Sequence, residues 1–160
     1  MAPANPRLVK ALVVGSLLWP LLLAAAAWPD ASGRAPAWSP VVYLAASRIC
    51  HQMPERSFRT AGLQWPVCAR CAGLYLAAPL GAVAASIASN RRRLNRSTIV
   101  WLAAASLPTA LTLVLEWLTS VPVGNVARAL AALPLGAAVA FAVVGAAGDR
   151  GGAIGYTHRP

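Results

Sequence analysis

Four apolar runs, each close to the length of a bilayer crossing, constrain this chain more than any other feature of its 160 residues. A helix needs about 20 apolar residues to cross the hydrocarbon core, and such runs cover roughly 8–28, 72–90, 97–118 and 130–147. Only 11% of residues are charged and 58% are hydrophobic, whereas a soluble domain carries nearer a quarter charged residues. The expected fold is an all-α integral membrane protein with four transmembrane helices. Residues 1–147 form a single membrane domain in this reading, and the polar, Gly-rich stretch 148–160 is a disordered cytoplasmic tail. The net charge of +10 does not indicate nucleic acid, because the basic residues fill short gaps between apolar runs and form no stripe on a soluble face. The partner implied is the lipid bilayer; protein partners are not legible.

Taken in order, Arg7 and Lys10 open the first run, Pro20 offers a kink, and Trp19 and Trp28 suit membrane interfaces. A cleaved signal peptide is the rival reading, with Ala24 to Ala27 before a cut site, but the run is long for a signal and Pro29 crowds the cut. Pro29 to Pro40 reads as a loop by its Pro, Gly, Ser and Asp content. Val41 to Gln52 reads as a helix too short to span, ended near Pro54, lying at the interface or folded back into the bundle. Trp65-Pro66 marks a turn. In the second run Gly81, Ala85 and Ser89 have the spacing of small residues that lets helices approach closely. Ser97 is a candidate N-cap for the third, and Thr119 to Gly124 forms a tight loop before the fourth. Four arginines in 91–96, the N-terminal pair, and Arg150 with Arg159 fall on one side of a four-span bundle. The positive-inside rule then gives a cell-membrane protein with both termini in and the cysteine-bearing loop outside the cytoplasm. That loop has five arginines of its own, which the compact 91–96 cluster beside two helix ends outweighs.

The loop carries the chemistry. Cys50-His51-Gln52-Met53-Pro54-Glu55-Arg56-Ser57-Phe58 is answered by Pro66-Val67-Cys68-Ala69-Arg70-Cys71, and together they hold all three cysteines. Cys68 and Cys71 at the start of a helix share one face, and a helix N-terminus and Arg70 both favour thiolate. Three cysteines and His51 are a donor set for a tetrahedral metal site, with zinc the default ion and iron or copper also compatible. Cys50 and His51 are adjacent and reach one ion only if the backbone there is irregular, since helical neighbours point about 100° apart. If His51 completes the set, no position stays open for a water, which argues against a hydrolase. A thiol–disulfide oxidoreductase is the second reading: Cys68 and Cys71 form the active pair, Cys50 is a resolving thiol, and a quinone accepts the electrons. Four-helix membrane enzymes similar to the DsbB and VKOR families do this, but with two cysteine pairs where this chain leaves one thiol over. The third reading is a structural staple joining two segments.

The other polar candidates have plainer alternatives. Glu55 and Arg56 read as an exposed ion pair of little worth. Arg48, Arg59 and Arg70 are solvated or touch lipid phosphates; the alternative for Arg70, as for Glu55 and Arg56, is a structural or supporting place beside the cysteine site. Glu116 lies near the end of the third run, where a carboxylate is costly unless paired. Arg128 is its natural partner and Asn125 lies three residues earlier on the same face; the trio is either a structural clamp or a support for the cysteine site. His158, isolated in the tail, is no ligand.

The pattern Cys-His-Gln-x-Pro-Glu-Arg-Ser-Phe, then Pro-x-Cys-x-Arg-Cys-x-Gly-x-Tyr, resembles a prokaryotic membrane-protein family known as domain of unknown function 2085. The resemblance is strongest over Cys50 to Tyr75 and continues, through Asn125, Arg128 and Gly136, to span about Val41 to Gly136. It implies a fold but no activity. Ala77 stands where the family pattern has Gly, a small packing change, and Thr112 where it has Asp, which removes an acidic side chain from that helix position.

Overall fold

The computed structural model describes residues 6–88, 96–119 and 122–148. Within them the chain builds α1 (Pro6–Ala26), α2 (Ser39–Ser47), a 3-10 turn (Pro54–Arg56), β1 (Ser57–Thr60), β2 (Leu63–Cys68), α3 (Ala69–Ile87), α4 (Arg96–Thr119) and α5 (Asn125–Gly148). The helices α1, α3, α4 and α5 are each long and apolar enough to cross a membrane. The four expected spans are therefore present in a mainly helical fold, shifted by a few residues at their ends. The fourth begins five residues earlier than expected, at Asn125, directly after Gly124. Most of the arginine cluster, Arg91 to Asn95, and the tail beyond Gly148 lie outside the described residues, as does Ser89.

Helices α3 and α5 pack most extensively, and glycines make this possible. A methyl group on Gly73 would overlap the Ala129 carbonyl, one on Gly81 that of Ala137, and one on Gly136 that of Leu74. Such backbone-to-backbone approach brings helices together where lipid supplies no hydrophobic drive. Helix α1 lies against α3 and α5, and α4 against α5. Helix α4 buries none of its residues; its large apolar side chains, Trp101, Leu111 and Trp117 among them, stay exposed, as suits a lipid-facing helix. Each spanning helix contains a proline, at Pro20, Pro79, Pro108 and Pro134, which membrane helices tolerate because neighbours satisfy the backbone groups it frees. The Thr109 hydroxyl donates to the Ala131 carbonyl at 2.9 Å, in the turn preceding Pro134.

The loop between α1 and α3 departs from expectation. Where Trp65-Pro66 suggests a turn, β1 and β2 form an antiparallel hairpin pairing Thr60 with Leu63, Arg59 with Gln64 and Ser57 with Cys68. Its two-residue turn, Ala61-Gly62, has positive φ at both positions (48° and 85°), the backbone that matches strand twist in tight hairpins. The register is irregular between Ser57 and Arg59, and Pro66 sits in the extra length of β2, where a residue without an N–H is tolerated. Phe58 and Trp65 meet edge to face at 5.9 Å, and Trp65 Nε1 donates to Thr60 Oγ1 at 2.9 Å. Helix α2 stops at Ser47 and folds back against β2 and α1. The result is a small core of Leu23, Ala46, Cys50, Val67 and Ala72, closed by Trp19, Phe58, Trp65 and Tyr75. A second cluster, around Ala82, Ala85 and Val144, closes the other end of the bundle.

Candidate metal centre

Two segments bring the cysteines together. The first runs out of α2, whose last turn unwinds while the Cys50 amide still donates to the Ala46 carbonyl at 2.9 Å; Cys50 is thereby carried inward and is 7% exposed. Two residues later Gln52 takes a positive φ of 52°, rare outside glycine. The backbone is irregular just after Cys50 and His51, yet it turns only Cys50 toward the other cysteines. Gln52 Nε2 donates to the carbonyls of Tyr43 and Pro66, each at 2.8 Å, and the Gln52 carbonyl accepts from Gln64 Nε2 at 2.7 Å. The Tyr43 hydroxyl donates to the Gln64 carbonyl, and Ser57 Oγ to the Met53 carbonyl at 2.8 Å. These bonds tie the Cys50 segment to β2. Sequence reasoning gives Gln52 no role within the motif and misses Gln64; two polar side chains flanking a buried cysteine segment are the available signal.

The second segment is the junction of β2 and α3. Cys68 is the N-cap of α3 with extended backbone (φ −68°, ψ 161°), and Cys71 falls in the first turn. The sulfurs of Cys50, Cys68 and Cys71 all lie within 4.8 Å of one another, and all three cysteines are free. The Cys68 amide donates to Cys50 Sγ at 3.1 Å. The Cys71 thiol, donating toward the Cys68 sulfur, lowers the Cys68 pKa to about 5; burial opposes this, and the Cys71 amide, the Cys50 thiol and the Arg70 amide add to it. His51 is exposed and outside the group of converging sulfurs.

The cysteines open onto a cleft of about 320 Å³ that is also lined by Ile49, His51, Met53, Arg56, Arg70 and Arg128. Behind it lies an ion-pair network joining three helices. Arg128 Nε donates to Glu116 Oε1 at 2.6 Å and Arg70 Nη2 to Glu116 Oε2 at 3.0 Å. Arg128 Nη1 reaches Asn125 Oδ1 at 2.7 Å, and Asn125 Nδ2 donates to the Ser57 carbonyl at 3.0 Å. Arg70 Nη2 also reaches Thr112 Oγ1 at 3.3 Å. The expected Glu116–Arg128–Asn125 trio is thus present, and it runs on to the hairpin. Two further side chains join the network. Arg70 is not simply solvated or turned to lipid: it donates to Glu116 Oε2, so that one carboxylate is shared by two guanidinium groups. Thr112, where an acidic residue was expected, still contacts the network through its hydroxyl. Glu55 and Arg56, both exposed in the 3-10 turn, form no ion pair among the described residues; Arg56 lines the cleft and Glu55 does not. Arg48 and Arg59 are exposed and line no part of the cleft.

A bundle of four apolar helices carrying a cysteine cluster at one end defines a multi-pass membrane protein. The chain belongs to the family described as predicted membrane protein, domain of unknown function 2085, whose model matches residues 50–142, more than half of the chain. It is 48% identical over 42 residues to an uncharacterized protein of Methanocaldococcus jannaschii, covering 26% of this chain and 27% of that protein. Over 30 residues it is 57% identical to an uncharacterized protein of Methanothermobacter thermautotrophicus, covering 19% of this chain and 27% of that protein. The matches span about a quarter of the length of each of these relatives. No solved structure matches the chain.

Proposed function

We propose that this protein binds a single metal ion, zinc by preference, through Cys50, Cys68 and Cys71 at the membrane surface. The observation that carries this reading is the convergence of three free sulfurs, from two segments eighteen residues apart, to within 4.8 Å. Thiolates about 2.3 Å from a tetrahedral zinc ion sit roughly 3.8 Å from one another, so modest closure suffices. The all-sulfur donor set suits zinc, with iron and the softer copper(I) as alternatives. His51, on the rim of the same cleft, is the protein's own candidate for a fourth bond. Arg70, Glu116, Asn125 and Arg128 hold the surrounding segments in place. The arginine distribution supports both termini in the cytoplasm and the cysteines outside it. Reporter fusions after Asn95 and after Ser120 test that orientation; an extracytoplasmic signal from the first or a cytoplasmic one from the second would reverse it.

Metal analysis of detergent-purified protein, prepared without oxygen beside a Cys68→Ser/Cys71→Ser variant, tests the centre. About one ion per chain, lost in the variant, is expected. Absence of metal in both, with Cys68 and Cys71 disulfide-bonded, would refute it and favour a thiol–disulfide oxidoreductase whose Cys68–Cys71 pair passes two electrons to a quinone. One feature supports that second reading. An apolar cleft of about 380 Å³ between α1, α3 and α5, lined by Leu12, Ser16, Leu74 and Tyr75 among others, reaches a tyrosine that packs against the cysteine core. Cysteines dispensable for both metal and redox chemistry would leave only a structural role.

A further inference from the structure

The cleft in front of the sulfurs holds more positive charge than its surroundings neutralise. Arg56, Arg70 and Arg128 line it, and the carboxylate of Glu116 is shared by the last two. Two positive charges are left in excess. A divalent ion on three thiolates contributes one negative charge, which still leaves one unmatched cation beside the metal. The unused donors are specific. Arg128 spends Nε and Nη1 on Glu116 and Asn125, and Arg70 spends Nη2 on Glu116 and Thr112. Among the described residues, Arg128 Nη2 and Arg70 Nη1 have no partner, and neither is sealed from solvent, as Arg70 Nε is. Arg56, exposed at the rim, has no side-chain partner among them either. The three arginines therefore line, with donors unspent, the same cleft that the three cysteines line.

We propose that this cleft binds an oxyanion, a carboxylate or a phosphate group, one oxygen of which takes the fourth position on the metal in place of His51. The inference rests on the metal reading above and deepens it. Three sulfur ligands from the protein with an exchangeable fourth position is the arrangement of a metal site that meets a ligand rather than one that is closed. Guanidinium forks match both oxyanion classes. The exposed side chains of Ile49 and Met53 also line the cleft, so the phosphate could be that of a lipid headgroup or of a soluble molecule. Arg56 is the group committed to the ligand, since Arg70 and Arg128 are already positioned by Glu116.

The test uses the full chain in a phosphate-free maltoside detergent, loaded with Co²⁺, whose thiolate charge-transfer band reports the sulfur ligands and whose d–d bands report the fourth. Acetate, inorganic phosphate and dihexanoylphosphatidic acid are each titrated. At least one is expected to shift the d–d bands saturably with the charge-transfer band retained. Arg56→Gln should weaken that ligand about tenfold or more, and Arg48→Gln, outside the cleft, should leave it unchanged. His51→Ala should keep both the band and the response. Tighter binding of the lipid than of inorganic phosphate would assign the ligand to a headgroup, and the reverse to a soluble anion. A full charge-transfer band with no response to any of the three, or a response indifferent to Arg56→Gln, would overturn this proposal and leave the metal centre standing. Loss of the d–d response in His51→Ala would return the fourth position to His51. No charge-transfer band at all would take down both readings.

Discussion

Glu116 is the residue whose removal should cost this bundle most. It accepts from Arg128 at 2.6 Å and from Arg70 at 3.0 Å, and the three side chains are only 9–14% exposed. Each bond to a charged group is worth about 1.5–3 kcal/mol. Removing the carboxylate forfeits both and leaves two guanidinium groups facing each other without a counter-charge. The expected loss for Glu116→Ala is about 3–5 kcal/mol. Unfolding in mixed micelles with increasing dodecyl sulfate, followed by tryptophan fluorescence, measures it. The same reasoning gives a counter-intuitive control. A triple replacement, Arg70→Met, Glu116→Met and Arg128→Met, leaves no uncompensated charge and should be less destabilised than Glu116→Ala alone. A Glu116→Ala protein within about 0.5 kcal/mol of the parent, or a triple variant less stable than the single one, would refute the account.

Other outcomes follow from the same geometry. Gly73→Val should separate α3 from α5, because its side chain would meet the Ala129 carbonyl; a loss of about 2 kcal/mol or more is expected in the same unfolding assay, whereas Gly15→Val, with open space around it, should be tolerated. Gln52→Ala removes two side-chain bonds that tie the Cys50 segment to α2 and β2, at a cost of about 1–3 kcal/mol, and should weaken metal binding with all three cysteines intact, as read by competition with a chelator. In the metal-free protein, Cys68, at about 5 in the folded chain against about 8.5 for an ordinary thiol, should remain open to alkylation well below neutral pH. Because the folded value is the lower one, its contribution to stability is full above about pH 8.5 and is lost as pH falls through about 5; the decline should flatten in Cys68→Ser.

The spans were legible because a bilayer crossing sets its own length: apolar runs near 20 residues leave little choice of structure. The pairing of Glu116 with Arg128 was legible for a similar reason, a carboxylate in an apolar helix having few partners. The hairpin was not. Its turn is Ala61-Gly62, without the asparagine or aspartate that signals positive φ, and Pro66 within β2 speaks against a strand unless the register slips around it, as it does. The partner of Arg70 is not legible, because it lies 46 residues away on α4, a distance that no local spacing reports. Cysteine spacing indicated a site, but the approach of Cys50 to the other two depends on Gln52, whose backbone conformation is invisible in a residue name.

Helix α4 buries none of its residues, yet its angle of rotation matters to the whole site. Thr109, Thr112 and Glu116 lie three and four residues apart and so share one face. Thr109 and Glu116, both bonded to α5, are about 10 Å apart along the axis. One attachment would let a lipid-bathed cylinder swivel, but two on a common stripe fix both its phase and its height. The aim of the carboxylate at the bundle end is thus also governed from deeper in the bilayer, by a hydroxyl within the apolar layer. A Thr109→Val protein would keep every group at the cysteine cleft while losing the inner of the two bearings on which α4 is aligned.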